Sequence, residues 1–440
     1  MRKKTLQPAG KMRKRQKRLD QIAGLCKIGL FGLAIAVFAV LGLLIPIRPT
    51  TSEMEKRQLT AFPAFQLESF LNGEFFKNVG LWYADTFPMR DQFLAANNAL
   101  EELYGLQQRQ IITSRKAEQN QSQEKLPEQA AEQSAADGSI TEGQPEVIGD
   151  VYITEGRAFE LFYFSEEYTD RYCEVINRAQ ERLGDKVHIY CLPAPVNSGI
   201  ILSEDMQERV DSSNQKQAIE YLASKLDSRV TTIDVYDTLR SHNSEYIYFN
   251  TDHHWTALGA YYAYQEFANA KGVPANSLDV FTSNSYEGFL GTFYSSSQSE
   301  ELKNNSDTVV TYTPLGTNNL MLTDQNGISV TKEIVSSADD LSAGSKYMCF
   351  IGGDQPYAHI MNPQIQDGSS IAVFKESYAN CFIPFLVDHY ADIYIIDYRY
   401  YQNDFVSLIQ ENHIQDVLFL NNLSAINEVL RLEEMEALVP

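Results

Sequence analysis

Apolar positions change their spacing several times along this chain, and each spacing predicts a different kind of element. Residues 28–47 read IGLFGLAIAVFAVLGLLIPI, twenty residues without a charge, bounded by Lys27 and Arg48. At 1.5 Å per residue such a run is about 30 Å long, the thickness of a bilayer's hydrocarbon core, and it predicts a transmembrane helix. A cleaved signal peptide is the rival reading, but its apolar run is shorter and a small-residue cleavage site follows it. Here the run ends in Pro46, Arg48 and Pro49, which favours a retained anchor. In residues 48–114 the apolar positions take helical spacing (Phe70, Leu71, Phe75, Phe76, Leu81, Trp82). This predicts two amphipathic helices with a turn at Asn72 and Gly73. No aromatic residue occurs between Tyr104 and Tyr152, and residues 115–148 are mostly Gln, Glu, Ala, Ser and Lys. Such a stretch buries too little apolar area to offset its ordering entropy, so it is expected to be a disordered linker or insertion.

From residue 149 to the end the pattern becomes dense and alternates. VYIT, VHIYCLPAP, VTTIDV, YIYF, SIAVFK, DIYIIDY and DVLFLNN are short apolar runs of strand type. Residues 165–183, 215–226, 257–270, the YANCFIPFLVDHY run, DFVSLIQEN and a final segment have helical period. Strands and helices in alternation predict an α/β fold built on a mostly parallel sheet with flanking helices. Residues 280–350 interrupt it with many Thr, Ser, Tyr and Asn and are expected to be a β-rich insertion.

Charge sharpens this picture. The formal net charge is −22, yet ten of the first 27 residues are Lys or Arg against one acid, Asp20. The rest of the chain therefore carries 26 bases and 57 acids. A basic head in front of an apolar span stays in the cytoplasm by the positive-inside rule, which places everything after Arg48 outside the cell membrane. The acidic remainder repels phosphate backbones and argues against a nucleic-acid partner. The five cysteines, Cys26, Cys173, Cys191, Cys349 and Cys381, match no zinc or CxxC spacing and are read as buried apolar side chains.

The candidate chemistry lies in two places. In NTDHHWTALGA, half of the chain's tryptophan and two of its seven histidines fall in one tetrapeptide. Thr256 is a good N-cap for the helix that follows, so Asp252 to Trp255 sit at the mouth of an element. In extended backbone, Asp252 and His254 share a face and His253 points away. An Asp beside a His holds its tautomer and steadies the imidazolium, a base and orienter that need a nucleophile. IAVFKESYANCFIPFL supplies one: Ser377 stands at a strand-to-helix turn, next to helix amides able to bind an oxyanion. Gly352 and Gly353, at the end of the strand-like MCFIGG, are weaker candidates for a second oxyanion donor. His253, Trp255, Tyr378, Asn380 and Arg399 are weaker candidates for substrate contact. For Trp255 the two readings are stacking on a sugar and packing on the helix; for Arg399 they are holding an anion and forming a salt bridge. No metal or other cofactor is called for. A metal-dependent phosphoesterase would need further Asp and His ligands, and the sequence has no HxH, DxD or HExxH. A non-catalytic surface protein that binds glycan or scaffolds a partner is the third reading.

These motifs carry a resemblance. The chain resembles the DHHW family of anchored surface proteins from Gram-positive bacteria. It is also similar to the SGNH-hydrolase-like domain of alginate O-acetyltransferase proteins. SEMEKRQLTAFPAF and DTFPMRDQF look like the family's opening signature, with Glu53, Arg57, Asp85 and Arg90 at its polar positions. TDHHWTALGA and FKESYAN look like its Asp-x-His-Trp and serine blocks, with Glu376 where Asp is expected before the serine. The resemblance implies a flavodoxin-like SGNH-type sheet and an extracellular serine acyltransferase or esterase, with Ser377 as nucleophile, His254 as base and Asp252 as orienter. It implies a membrane-bound O-acyltransferase as partner and a cell-surface polysaccharide as substrate. The implied organisation is a cytoplasmic tail at 1–27, an anchor in the lipid bilayer at 28–47, a helical segment at 48–114, a linker at 115–148 and the main domain at 149–440.

Overall fold

The computed structural model describes Arg48, residues 51–52, 57–58, 62–63, 70, 74–89, 146–148 and 150–440 except 325 and 326. The expected tail and anchor, Glu53, Arg90 and most of the expected linker lie outside the described residues. Among those described, no helix is long and apolar enough to cross a membrane. The chain divides into two units, Met1–Gln107 and Gln108–Pro440.

In the first unit, Thr51–Ser52 pairs antiparallel with Arg57–Gln58. A helix runs over Glu74–Asp85, the second of the two expected. The Arg48 guanidinium lies 4.1 Å from the Trp82 ring centroid and donates to the Thr86 hydroxyl at 3.1 Å, which fastens the chain before the helix to its C-terminal end.

The second unit opens with a small antiparallel sheet, β1 (Glu146–Ile148), β2 (Val151–Thr154) and β3 (Arg157–Glu160). β1 falls inside the stretch expected to be linker. Its three residues become a strand because β2, one turn away, offers a partner. Then come α1 (Glu166–Leu183), β4 (His188–Ala194), α2 (Gln215–Lys225), the two-residue β5 (Thr231–Thr232) and α3 (Ala257–Lys271). α1 starts where the Ser165 hydroxyl accepts the Tyr168 N–H, with Glu166 and Glu167 in its positive first turn and Arg182 in its last. It buries Tyr172, Cys173, Val175, Ile176 and Ala179, the face that its 3.6 period dictates. β6 (Thr282–Phe289) and β7 (Asp307–Thr313) form an antiparallel ribbon. They are followed by β8 (Asn319–Thr323), β9 (Ser329–Glu333), β10 (Tyr357–Met361), β11 (Ser370–Lys375), β12 (Asp392–Asp397), α4 (Phe405–Glu411), β13 (Asp416–Asn422) and α5 (Val429–Leu438).

Eight of these strands make one sheet, in the order β9-β8-β10-β12-β11-β13-β4-β5. β12, β11, β13, β4 and β5 are parallel, and β9, β8 and β10 extend the sheet antiparallel. The sheet is therefore mixed: a parallel part, as expected, extended by antiparallel strands. The reason lies in residues 319–361, where strands follow one another without the crossover helix that a parallel connection requires. Part of the expected β-rich insertion thus belongs to the main sheet. β9, its outer strand, is exposed throughout, whereas β11 is buried at every position. β11 runs between β12 and β13, and the register sets Lys375 beside both Asp397 and Leu420. The chain segments that leave these three strands consequently emerge side by side at the carboxyl edge of the sheet, where an α/β fold leaves a crevice.

Candidate active site

Ser377 begins a 3-10 turn, Ser377–Cys381, directly after β11. The long helix expected over YANCFIPFLVDHY is broken into this turn, a four-residue helix at Ile383–Leu386 and a second 3-10 turn at Val387–His389, because Pro384 supplies no N–H. Glu376 is buried, and its carboxylate accepts the N–H of Tyr378 at 2.8 Å and of Asn422 at 2.9 Å. It thus ties the serine turn to the end of β13. Burial pushes this carboxyl up; Arg399 and the two amides work against that shift without cancelling it. The turn amides expected to hold an oxyanion are spent: Tyr378 N–H on Glu376, and Ala379 N–H on the Glu376 carbonyl.

The histidine stretch meets the serine from a loop before α3. Nε2 of His254 lies 2.8 Å from Ser377 Oγ, and Nδ1 lies 2.5 Å from Asp252 Oδ1. A carboxylate only accepts, so Nδ1 carries the proton and Nε2 turns a lone pair to the serine. The other Asp252 oxygen accepts the Thr292 N–H at 2.8 Å. Burial alone would raise the Asp252 carboxyl. The interactions with His254 and His253 and the hydrogen bonds it accepts outweigh burial and hold it well below its usual range. Asp252 and His254 are buried and Ser377 is half-buried.

The backbone here is not an extended strand, and Tyr248 makes only an isolated bridge to Trp255. Asp252 Oδ1 also accepts the His254 N–H, so the chain bends around the carboxylate. That bend corrects the expected placement of His253. Its ring lies 3.8 Å from the His254 ring, and its Nδ1 lies 2.7 Å from the Thr292 hydroxyl. Burial, and then the neighbouring His254, lower its pKa.

Several residues lock this geometry. Trp255 Nε1 donates to the Tyr378 carbonyl at 2.8 Å, and the Tyr378 hydroxyl donates to the His253 carbonyl at 2.7 Å. The Tyr347 hydroxyl donates to the Ser377 carbonyl at 3.0 Å while its ring stacks on His254 at 4.1 Å. Trp255 and Tyr378 are fully buried, so neither contacts substrate; they staple the two loops together. Three further residues escaped the sequence reading. Asp307 accepts the N–H groups of Asn250 and Thr251 at 2.7 Å each, fixing the loop that carries Asp252. Gly291 packs so closely that a Cβ there would stand 2.2 Å from Asp252 Cβ. Asn422, the last residue of β13, accepts the Ala425 N–H with Oδ1 at 2.9 Å, which leaves its Nδ2 donor to the crevice. The sequence signals were faint: a Gly-Thr pair in GFLGTF and an Asn-Asn pair closing an apolar run.

A cavity of about 290 Å³ opens beside the serine; Ser377, His253, Thr292, Arg399 and Asn422 are among its walls. Arg399 faces it already paired, to Asp397 at 2.7 Å and Asp354 at 2.8 Å. Asn380 does not reach it: its amide bridges Lys375 and Asp354 behind the turn. Gly352 and Gly353 do not line it either. The residues before them form a 3-10 turn, Ala343–Cys349, in place of the expected strand, and Gly353 N–H donates to the Phe350 carbonyl. The two glycines occupy positive φ of 68° and 79°, a turn role. Asp252, His253 and His254 bring possible metal-ligand atoms within 4.8 Å of one another. Both nitrogens of His254 are engaged by protein, however, and Nδ1 of His253 is engaged by Thr292. Cys173, Cys191, Cys349 and Cys381 are buried free thiols.

The family model of DHHW proteins matches residues 55–119 and 124–396. Among solved structures, a DHHW family protein from Eubacterium siraeum is similar with 28% identity and a TM-score of 0.59, over 65% of this chain and 94% of that one. PatB1 from Bacillus cereus, determined with a sulfonyl adduct, is similar in fold at 19% identity and a TM-score of 0.53, over 63% of this chain and 95% of that one. The O-acetyltransferase domain of Pseudomonas putida AlgJ matches at 12% identity and a TM-score of 0.35, over 67% of this chain and 99% of that one. No curated protein matches the sequence.

Proposed function

We propose, for a chain that belongs to the DHHW family, that it is a serine-dependent acyltransferase or esterase acting on a cell-surface polysaccharide, on a sheet of SGNH type. One observation carries the reading: Ser377 Oγ, His254 and Asp252 are linked at 2.8 and 2.5 Å although the serine and histidine lie 123 positions apart. Ser377 attacks the carbonyl of an acyl ester while its proton moves to His254 Nε2. The new Oγ–carbon bond forms as the old ester bond breaks, and the leaving oxygen takes the proton from the imidazolium. Asp252 holds the imidazole in place and steadies its positive charge. Asn422 Nδ2, fixed in direction by the cap to Ala425, is the donor for the oxyanion together with the Ser377 N–H. The acyl group comes from a membrane-bound O-acyltransferase, and residues 28–47 anchor the chain so that the site faces outward. A polysaccharide substrate is consistent with the hydroxyl, amide and carboxylate groups of Thr292, Ser296, Asn422 and Glu160 that line the cavity.

An aryl sulfonyl fluoride and a chromogenic acetyl ester test this on the full chain in detergent. The wild type is expected to be labelled at Ser377 and to hydrolyse the ester. Ser377→Ala is expected to lose the label and on the order of 10⁴-fold in rate. Asn422→Asp keeps an N-cap oxygen but loses the donor, and is expected to lose about 10²-fold to 10³-fold in kcat. Equal labelling of Ser377→Ala and wild type would sink the assignment.

A further inference from the structure

The walls of the serine cavity point to the chemical class of the acceptor, an inference that rests on the acyl-transfer reading above. Four carboxylate residues line it, Asp150, Glu160, Glu376 and Glu428, with two guanidinium groups, Arg399 and Arg431. Both cations are compensated. Arg399 lies between Asp354 and Asp397, and Arg431 pairs with Glu434 at 2.7 Å and Glu428 at 3.6 Å. An anionic ligand would meet a surplus of negative charge, inside a chain whose formal charge is already −22. In a cleft with low-dielectric walls that surplus is focused rather than dispersed.

The same walls suit a neutral polyol. Carboxylate, hydroxyl and amide groups accept and donate hydrogen bonds without demanding a charge, and Thr292, Ser296 and Asn422 add to the set. Val151 and Phe293, both largely buried, give one apolar wall for the face of a ring. At about 290 Å³ the space is at the small end of ligand pockets, the size for one ring of a chain rather than several. His253 stands on this wall beside His254, with Nδ1 held by Thr292. Among the described residues its Nε2 has no protein hydrogen-bond partner, which leaves a fixed, uncharged polar atom next to the catalytic ring.

We propose that this cavity is an acceptor subsite for one uncharged sugar ring, that His253 Nε2 binds one of its hydroxyls, and that the carboxylates exclude uronate and phosphate acceptors. In the transfer step a neighbouring hydroxyl of the bound ring attacks the acyl carbon. Its proton passes to His254 Nε2, the bond from the acyl carbon to Ser377 Oγ breaks, and the same proton returns to Oγ.

The test offers the full chain a chromogenic acetyl ester as donor with either a neutral N-acetylhexosamine trisaccharide or a uronate trisaccharide, and quantifies O-acetylated sugar by mass spectrometry. At low salt the neutral acceptor is expected to be favoured about tenfold or more in kcat/KM. Raising the ionic strength, or replacing Asp150→Asn together with Glu160→Gln, is expected to shrink that ratio several-fold. His253→Ala is expected to raise the acceptor KM and shift product from transfer towards hydrolysis. Equal or reversed preference overturns the proposal. So does a preference that neither salt nor the double substitution moves, unchanged partition in His253→Ala, or ester hydrolysis with no transfer to either sugar. Failure of the sulfonyl label and of ester hydrolysis would instead overturn the triad.

Discussion

Lys375 and Ser377 stand two residues apart at the end of one strand, yet they end two polar networks of opposite character. The Lys375 ammonium is buried completely and gives its three N–H groups to Asp397 at 2.9 Å, Asp354 at 3.2 Å and Asn380 at 2.9 Å. Burial alone would lower its pKa; the two carboxylates outweigh that and raise it. Arg399 closes the far side on the same two acids. Each of the three ammonium N–H groups of Lys375 thus has an acceptor. The Asp252–His254–Ser377 chain uses equally short bonds, but it ends on a half-buried hydroxyl that borders a cavity. The first network buries its ammonium among acceptors, and the second leaves a hydroxyl at the edge of a cavity. Burial and ion pairing by themselves therefore do not mark chemistry; an open end does.

That contrast can be broken by substitution. Lys375→Met leaves Asp397 buried without its ammonium partner, and the expected loss is about 3–5 kcal/mol of stability. Urea unfolding checks it; esterase activity per folded molecule should change far less. If the stability stays level while activity collapses, the buried cluster belongs to the chemistry and the contrast fails. Gly291→Ala should do the reverse. Its added methyl collides with Asp252, and a displacement of about 1 Å at such a position costs on the order of 10²-fold in rate. The melting temperature should move little by comparison, and the pH–rate profile should change shape as the orienter shifts.

The smallest effect is in pH dependence. His253 has a folded pKa below its ordinary value of 6.5, so under acid the unfolded chain takes up a proton that the folded chain resists. Stability is therefore lost as pH falls from about 6.5 towards the folded value. Asp252, facing the same ring at 3.8 Å, is shifted down from 3.8, so its stabilising contribution is lost only below that range. His253→Gln should flatten the melting-temperature profile just below pH 6.5 and leave the more acidic limb unchanged. An unaltered profile would mean that His253 is not the group that resists protonation there.

Much of this site was legible because rare residue types sit where a short polar stretch interrupts apolar runs. Asp252, His254 and Ser377 were readable that way, since a strand-to-turn junction and an Asp-x-His pair each imply a role. The partners that hold them were not. Gly291 lies 40 positions from Thr251, whose hydroxyl accepts its N–H, Asp307 lies 56 from Thr251 and Asn422 lies 46 from Glu376, and nothing local in their flanking sequence points to the contact. Gly352 and Gly353 misled for the converse reason: a double glycine serves an oxyanion site and a plain turn equally well. The bend at Asp252 was missed because alternation assumes an extended backbone, whereas the carboxylate drew the chain around itself.

By itself the sequence determined the alternating α/β pattern of the second unit and the strand-to-turn junction after β11, and it singled out Asp252, His254 and Ser377 as the candidate side chains. These follow from periodicity and chemistry within a few residues. Only the tertiary structure decided the mixed order of the eight strands, the burial of Trp255 as a staple and the closing of the hydrogen-bond relay from Asp252 to Ser377. Those depend on which distant segments share a sheet edge, and the free energy of that pairing is spread over the whole core rather than written in any one stretch of chain.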